Sequence, residues 1–389
     1  MGVKVVKFGG SSVADAIQLQ KVKSIVMSDP DRKYVVVSAP GKRYSDDNKI
    51  TDLLYLCKTH IDHNIPADHV FQVICDRFRI MELNLGVNVG IDKELEEIRQ
   101  NLKPGVTADY IAKHENAVIP GFYGSNPDGT VRTFSRGGSD ITGSLVAKAV
   151  GADIYENWTD VSGFLVSDPR IVDNPKPIKN ITYKELRELS YMGASVLHED
   201  AIFPVREVNI PINIRNTNEP DNPGTIISDT PAESDDIITG IAGRKDFVVI
   251  ALYKNMMNSE IGFVKRLLTI LENNEISFEH LPSGIDTVCI VISKQQLEGK
   301  LQDLLEDIEK RLKPDSVEIY QDMALIATVG LGMNRRPGVC ATLFGALNDA
   351  GVNVRMIDQG SSEMNIIVGV ENDSFEAAIR SIYNAFVNK

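Results

Sequence analysis

KVVKFGGSSVAD, residues 4–15, reads as a strand that runs through a glycine turn into a helix. Val3, Val5, Val6 and Phe8 are apolar and β-prone, as a buried strand requires. Gly9 and Gly10 let the backbone turn sharply and approach a ligand closely. Ser12 is placed to cap the following helix, with Asp15 in its first turn. A helix N-terminus presents unpaired N–H groups and partial positive charge, which suits a phosphate. Lys7 adds a full charge, worth roughly 4 kcal/mol against a unit anion at about 4 Å and an effective dielectric near 20. The lysine precedes the glycines, so this is neither GxxxxGK[ST] nor GxGxxG. Alone, the stretch fits an ordinary strand–turn–helix with a surface lysine equally well.

Outward from this stretch, strand-like and helix-like segments alternate. Residues 34–39 (YVVVSA) form a short apolar run stopped by Pro40 and Gly41. Residues 51–62 and 70–85 have helical periodicity, and 117–122 (AVIPGF) reads as a strand end. A helix is expected up to Val150, then a strand at 153–155, a loop at 159–170, a helix at 185–191 and a strand at 211–215. This alternation predicts an α/β fold, a mostly parallel sheet flanked by helices. Residues 216–236, with Pro220, Pro223, Pro231 and many acids, read as a linker. Beyond it, βαββα patterns at 246–312 and 324–387 indicate a duplicated small α+β unit. The expected domains are therefore 1–230, 231–320 and 321–389.

A chain of 389 residues accommodates two or three cores. The formal net charge of -13 argues against nucleic acid as a partner. No apolar run approaches membrane-spanning length, and the N-terminus lacks a signal-peptide layout, so a cytoplasmic protein without a membrane partner is expected. Cys57, Cys75, Cys289 and Cys340 are scattered, as buried free thiols in a reducing compartment would be. His60 and His63 make a weak HxxH pair that reads as a solvated helix face, and no metal site is expected.

FSRGGSD, residues 134–140, is a second glycine site. Arg136 offers a planar fork for a carboxylate or phosphate. Gly137 and Gly138 again permit close approach, and Ser139 and Asp140 open the next helix. Asp140 can bind a cation or orient a lysine, Lys7 being the candidate. Alone this too fits a capped helix after a tight turn. Two anion sites on one sheet together suggest phosphate transfer.

KFGGSSVAD, VVVSAPGK, ITDLL, FSRGGSD, WTDVSGFLVSDPRIV and GASVLH, in this order, resemble aspartokinase over nearly the whole chain, and the two C-terminal units are similar to ACT domains. The resemblance implies the amino-acid kinase fold and transfer of the ATP γ-phosphoryl to the β-carboxylate of L-aspartate. That yields 4-phospho-L-aspartate, the first step of lysine, threonine and methionine biosynthesis. It implies that Lys7 and the amides of Gly9, Gly10 and Ser11 hold the transferring phosphoryl. Ser38 and Thr51 would line the aspartate pocket, Arg136 would grip the α-carboxylate with Ser139 beside it, and Asp140 would orient Lys7. Thr159 and Asp160 would border the nucleotide, Arg170 would reach its phosphates, and Mg2+ would ride on ATP.

ACT domains usually bind an amino acid and feed back on activity. Asn258, Ser259, Gly262 and Phe263 lie in NSEIGF, a strand-to-helix loop whose N–H groups suit a carboxylate; Ser283 lies in HLPSGIDT, and Asp286 or Glu279 would take the ammonium. These residues equally suit a homo-oligomeric ACT interface. Lysine is the favoured effector, with threonine open.

Two departures stand out. Family members carry a Ser-x-Gly-Glu helix whose glutamate holds the substrate amino group. Here Asp109-Tyr110-Ile111 runs almost directly into Ala112-Lys113-His114-Glu115. Either the enzyme is shortened or a segment is absent from this sequence; losing a sheet-flanking helix and strand would expose much apolar surface, which favours the second. Ser195 also stands where many members have a nucleotide-contacting lysine. Two other readings follow: a kinase for another amino acid such as glutamate, and a catalytically weak amino-acid-binding regulator.

Overall fold

Val5, Val6 and Phe8 have no solvent exposure, and the strand they build, Lys4–Phe8, lies inside a seven-stranded sheet. The computed structural model describes residues 2–62, 65–101, 117–121, 123–125, 131–133, 137–194, 199–232 and 234–388. Across the sheet the strands run Ala117–Pro120, Arg32–Val37, Lys4–Phe8, Ile154–Thr159, Ile212–Asn216, Thr225–Ser228 and Asn180–Thr182. The first five are parallel; Thr225–Ser228 turns antiparallel to Ile212–Asn216. The expected parallel α/β sheet is thus present.

Strand alternation divides the side chains between two faces. Val6, Phe8 and Trp158 pack with Val22 and Ile25 of the helix Ala16–Met27 on one face. Lys7, Tyr155 and Asn157 turn to the other, where the helix Gly138–Val150 lies so close that a Cβ on Gly143 would meet the Tyr155 ring at 2.7 Å. Beside the sheet, Leu53, Cys57, Phe71, Ile74 and Cys75 join the helices Ile50–Asp62 and Asp68–Leu85 in a separate apolar cluster.

Several local expectations change. Asp15, not Ser12, caps the helix: its Oδ1 accepts from Gln18 N at 2.9 Å. Ser12 lies in a short 3₁₀ turn, Ser11–Val13, and bonds Thr217 Oγ1 at 2.8 Å. The linker holds a buried strand, Thr225–Ser228, whose Thr225 and Ile227 are fully covered. A helix at Ile91–Asn101 and a hairpin of Tyr123–Ser125 with Val131–Thr133 were not foreseen. Cys57 and Cys75 are buried, whereas Cys289 is half-buried and Cys340 exposed.

The chain divides into two compact units. The second comprises the C-terminal residues together with two earlier segments, residues 165–176 and 185–194. Its antiparallel sheet runs Thr287–Ser293, Gly240–Tyr253, Ser316–Val329, Asn365–Glu371 and Met356–Asp358. The two repeats interlock through its long strands. Phe247–Tyr253 pairs with Thr287–Ser293, whereas Gly240–Arg244 pairs with Leu325–Val329 of the later repeat. Irregular register between Arg244 and Val249 marks the join. Leu252, Leu267, Ile290, Leu304 and Ile308 fill the core under the first repeat's helices. Among the described residues, no helix is long and apolar enough to cross a membrane.

Candidate active site

Lys7 is 5% exposed, so its ammonium must be paired to be tolerated. It forms an ion pair with Asp140, which stands in the first turn of the helix Gly138–Val150. Asn157, the residue in register with Lys7 on the adjacent strand, closes a triangle. Its Nδ2 donates to Asp140 Oδ1 at 3.0 Å, and its Oδ1 accepts from Lys7 Nζ at 3.4 Å. Behind the triangle, Tyr155 donates to the Asp140 carbonyl at 3.2 Å. Burial, and then the Asp140 charge, push the Tyr155 hydroxyl well above its ordinary range, so it serves as a fixed neutral donor.

The glycine turn sits directly over this ammonium. Gly9 N donates to Trp158 O at 3.0 Å, and a Cβ on Gly9 would lie 3.6 Å from Lys7 Nζ. The turn meets the loop after Arg32–Val37 backbone to backbone: Gly41 N donates to Gly10 O at 2.8 Å, and Ser38 N to Phe8 O at 3.1 Å. Here glycine is required by space, since a Cβ on Gly41 would sit 2.6 Å from Gly10 C. The result is a cradle of backbone edges around one buried cation, chemistry suited to a phosphoryl group.

The structure gathers Lys7, Gly9, Gly10, Ser11, Ser38, Asp140 and Thr159 around the C-terminal ends of the central strands, the usual ligand edge of an open α/β sheet. Ser139 is buried against Gly121, whose added Cβ would meet Ser139 Cβ at 2.8 Å. Thr51 opens the helix Ile50–Asp62, which Ile50 N ties to Pro40 O at 3.1 Å. Thr159 Oγ1 donates to Asp160 Oδ1 at 3.0 Å, so these two engage each other. Arg136, Ser195 and residues 102–116 lie outside the described residues. Arg170 belongs to the second unit, where it is largely exposed and forks onto Asp168 at 2.6 and 3.0 Å. That hydrogen bond holds the Asp168 carboxyl below its usual range. Asn157 was missed. Its signal was a polar residue inside the strand IYENWT, which gains meaning only from its register with Lys7.

In the second unit, Asn258 N donates to Ile285 O at 3.1 Å and Lys254 N to Asp286 O at 2.9 Å, so the loop of Asn258, Ser259 and Gly262 adjoins Asp286. Ser283 lies nearby, bridged to Val288. Phe263 is 2% exposed in the apolar core, leaving only its backbone for a ligand. Glu279 is engaged elsewhere, with Arg244 at 3.9 Å and with the Tyr191 hydroxyl, whose pKa that contact raises to about 12.

A model of the amino acid kinase family matches residues 2–216, and one of the ACT domain matches residues 326–386. The chain is 36% identical to aspartokinase 3 of Bacillus subtilis, covering 99% of this chain and 98% of the relative. That alignment runs over 452 positions although this chain has 389 residues, so the relative carries positions without a counterpart here. The solved aspartate kinase of Clostridium acetobutylicum superposes with a TM-score of 0.92 at 49% identity, covering 99% of this chain and all of that one. The fold also matches Escherichia coli aspartokinase III, solved with aspartate and ADP, at a TM-score of 0.70 and 24% identity over the full length of both chains.

Proposed function

The chain belongs to the amino acid kinase family and, within it, to the aspartokinases; from that premise we propose that it transfers the γ-phosphoryl of ATP to the β-carboxylate of L-aspartate. The observation that carries this reading is the buried Lys7, held by Asp140 and Asn157 under the Gly9–Gly10 turn. Phosphoryl transfer needs positioning and charge neutralisation more than covalent chemistry. Lys7 and the amides of Gly10 and Ser11 meet the oxygens of the transferring group; the Gly9 N–H, expected to join them, is instead taken by Trp158 O. Asp140 and Asn157 fix the ammonium, so no reorganisation is needed as charge develops.

Ser38, Thr51, Arg136 and Ser139 hold aspartate. Thr159 and Asp160 border the nucleotide. Magnesium carried on the ATP phosphates would add further charge neutralisation; among the described residues no group of three His, Cys, Asp or Glu side chains is arranged to hold an ion. Residues 1–230 carry this chemistry, and the ACT units at 231–320 and 321–389 sense an end-product amino acid, lysine before threonine. Their loops, through Asn258, Ser259, Gly262, Ser283 and Asp286, bind it, and the same units assemble a homo-oligomer. The enzyme works in the cytoplasm at the head of lysine, threonine and methionine synthesis.

ADP release measured with aspartate and with glutamate tests the acceptor: turnover with aspartate is expected, and preference for glutamate overturns the proposal. A second reading, a weak amino-acid-binding regulator, draws on the alignment positions this chain lacks. Absent turnover with retained lysine binding would favour it.

A further inference from the structure

Arg77 stands on the helix Asp68–Leu85, in none of the glycine motifs, yet it is 4% exposed. A guanidinium so placed is costly unless most of its donors are used, and here Nε alone has no partner. Its burial pulls its pKa down, against the opposing pull of Asp47. Nη1 donates to Asn48 O at 2.8 Å and faces Asp47 Oδ2 at 3.4 Å. Nη2 donates to Ala14 O at 2.9 Å and also to Gly41 O. The four terminal N–H groups therefore reach three separate stretches of backbone and one carboxylate.

Those stretches are the ones that build the site. Ala14 ends the turn begun by Gly9 and Gly10. Gly41 follows Ser38 and crosses Gly10, and Asn48 precedes Thr51. Asp47 is itself gripped by Arg43, with Nε at 2.7 Å and Nη2 at 2.9 Å, so the clamp is braced from the solvent side.

We propose that Arg77 is a positioning residue: its fork locks the phosphoryl-holding turn to the loop carrying Ser38 and Thr51, and so sets the separation between the transferring phosphoryl and the accepting carboxylate. Lysine cannot replace it, because a single ammonium presents three donors at one point and cannot span three carbonyls. Its contacts are with Ala14, Gly41, Asp47 and Asn48 and not with Thr159 or Asp160, so nucleotide binding at those two residues is largely spared. The inference rests on the phosphotransfer reading for its kinetic consequence but not for the clamp itself.

The test uses the full chain with Arg77→Lys and Arg77→Gln. Hydrogen exchange of residues 9–14 and 38–51 is followed by mass spectrometry, and kinetic constants are measured for aspartate and ATP. In whichever variant folds, we expect exchange at least tenfold faster in both stretches. We expect KM for aspartate to rise and kcat to fall at least tenfold, with KM for ATP within threefold. Unchanged exchange in either stretch overturns the clamp. So does a lowered Tm accompanied by unchanged KM values and unchanged kcat per folded molecule, because a merely structural role gives that pattern. If exchange accelerates but the unaltered chain does not phosphorylate aspartate, the clamp stands and the acceptor assignment fails.

Discussion

Asn157 donates from Nδ2 to Asp140 Oδ1 at 3.0 Å, the same carboxylate oxygen that faces the Lys7 ammonium. A single oxygen thus receives a full positive charge and an amide dipole, and Asn157 Oδ1 returns a weaker contact to the lysine. The amide sets the direction of the ammonium, while the carboxylate balances its charge.

Replacing Lys7 by Met should lower kcat by about 10²–10³-fold or more, the usual cost of removing a preorganised group from a developing anion. Asn157→Leu should cost less, about tenfold, because the ion pair survives while its aim is lost. Steady-state kinetics on both variants checks the order. Equal losses would mean that the amide is not subordinate to the lysine.

Gly41→Ala tests the backbone crossing. An added Cβ would lie 2.6 Å from Gly10 C and 2.9 Å from Ser11 N, and backbone cannot swing aside as a side-chain tip can. Overpacking of this kind costs about 1–3 kcal/mol. The urea midpoint should drop and kcat should fall with it, since the displaced atoms are those that hold the phosphoryl. An unchanged midpoint would show that the two loops separate freely.

Asp47 gives an acid-side prediction. The Arg43 fork, aided by backbone N–H groups and the Arg77 charge, holds its carboxyl far below the ordinary range, outweighing burial. A depressed carboxylate contributes stability that is fully present above its unfolded pKa of about 3.9 and is lost as pH falls through the folded value. Urea midpoints of the unaltered chain and of Asp47→Asn should therefore differ most above about pH 5 and converge towards the acid end. Parallel curves would remove Asp47 from the acid sensitivity.

The pairing of Lys7 with Asp140 was legible because each glycine turn opens a helix, and an acid in one helix's first turn is a natural partner for a lysine beside the other; the second turn follows the hairpin strand Val131–Thr133 and not a strand of the parallel sheet. Asn157 was not, since a polar residue in a buried strand declares itself only once its neighbour strand is in register. The cap was misread because Ser12 and Asp15 are both competent acceptors, and Ser12 is drawn away by Thr217. Thr225–Ser228 hid among prolines and acids: four residues carry too little periodicity to outweigh such flanks. The strand Gly240–Arg244 was passed over because its partner, Leu325–Val329, lies in the other repeat, and no local pattern announces a pairing across an inserted unit.

Asp286 is the sharpest probe of the regulatory loop. Its carbonyl accepts from Lys254 N at 2.9 Å, which fixes the backbone, while its residue is exposed. Asp286→Ala therefore removes a carboxylate without opening the core, and such surface changes usually stay within about 0.5 kcal/mol. If that carboxylate holds an effector ammonium, the lysine concentration for half-inhibition should rise at least tenfold, with uninhibited kcat unchanged. Charge-assisted hydrogen bonds of about 1.5–3 kcal/mol correspond to losses of this order. Threonine run in parallel separates the two candidate effectors, because both carry the same ammonium and carboxylate and differ only in the side chain beyond. Inhibition by lysine that is identical in the variant and the unaltered chain would place the effector away from Asp286.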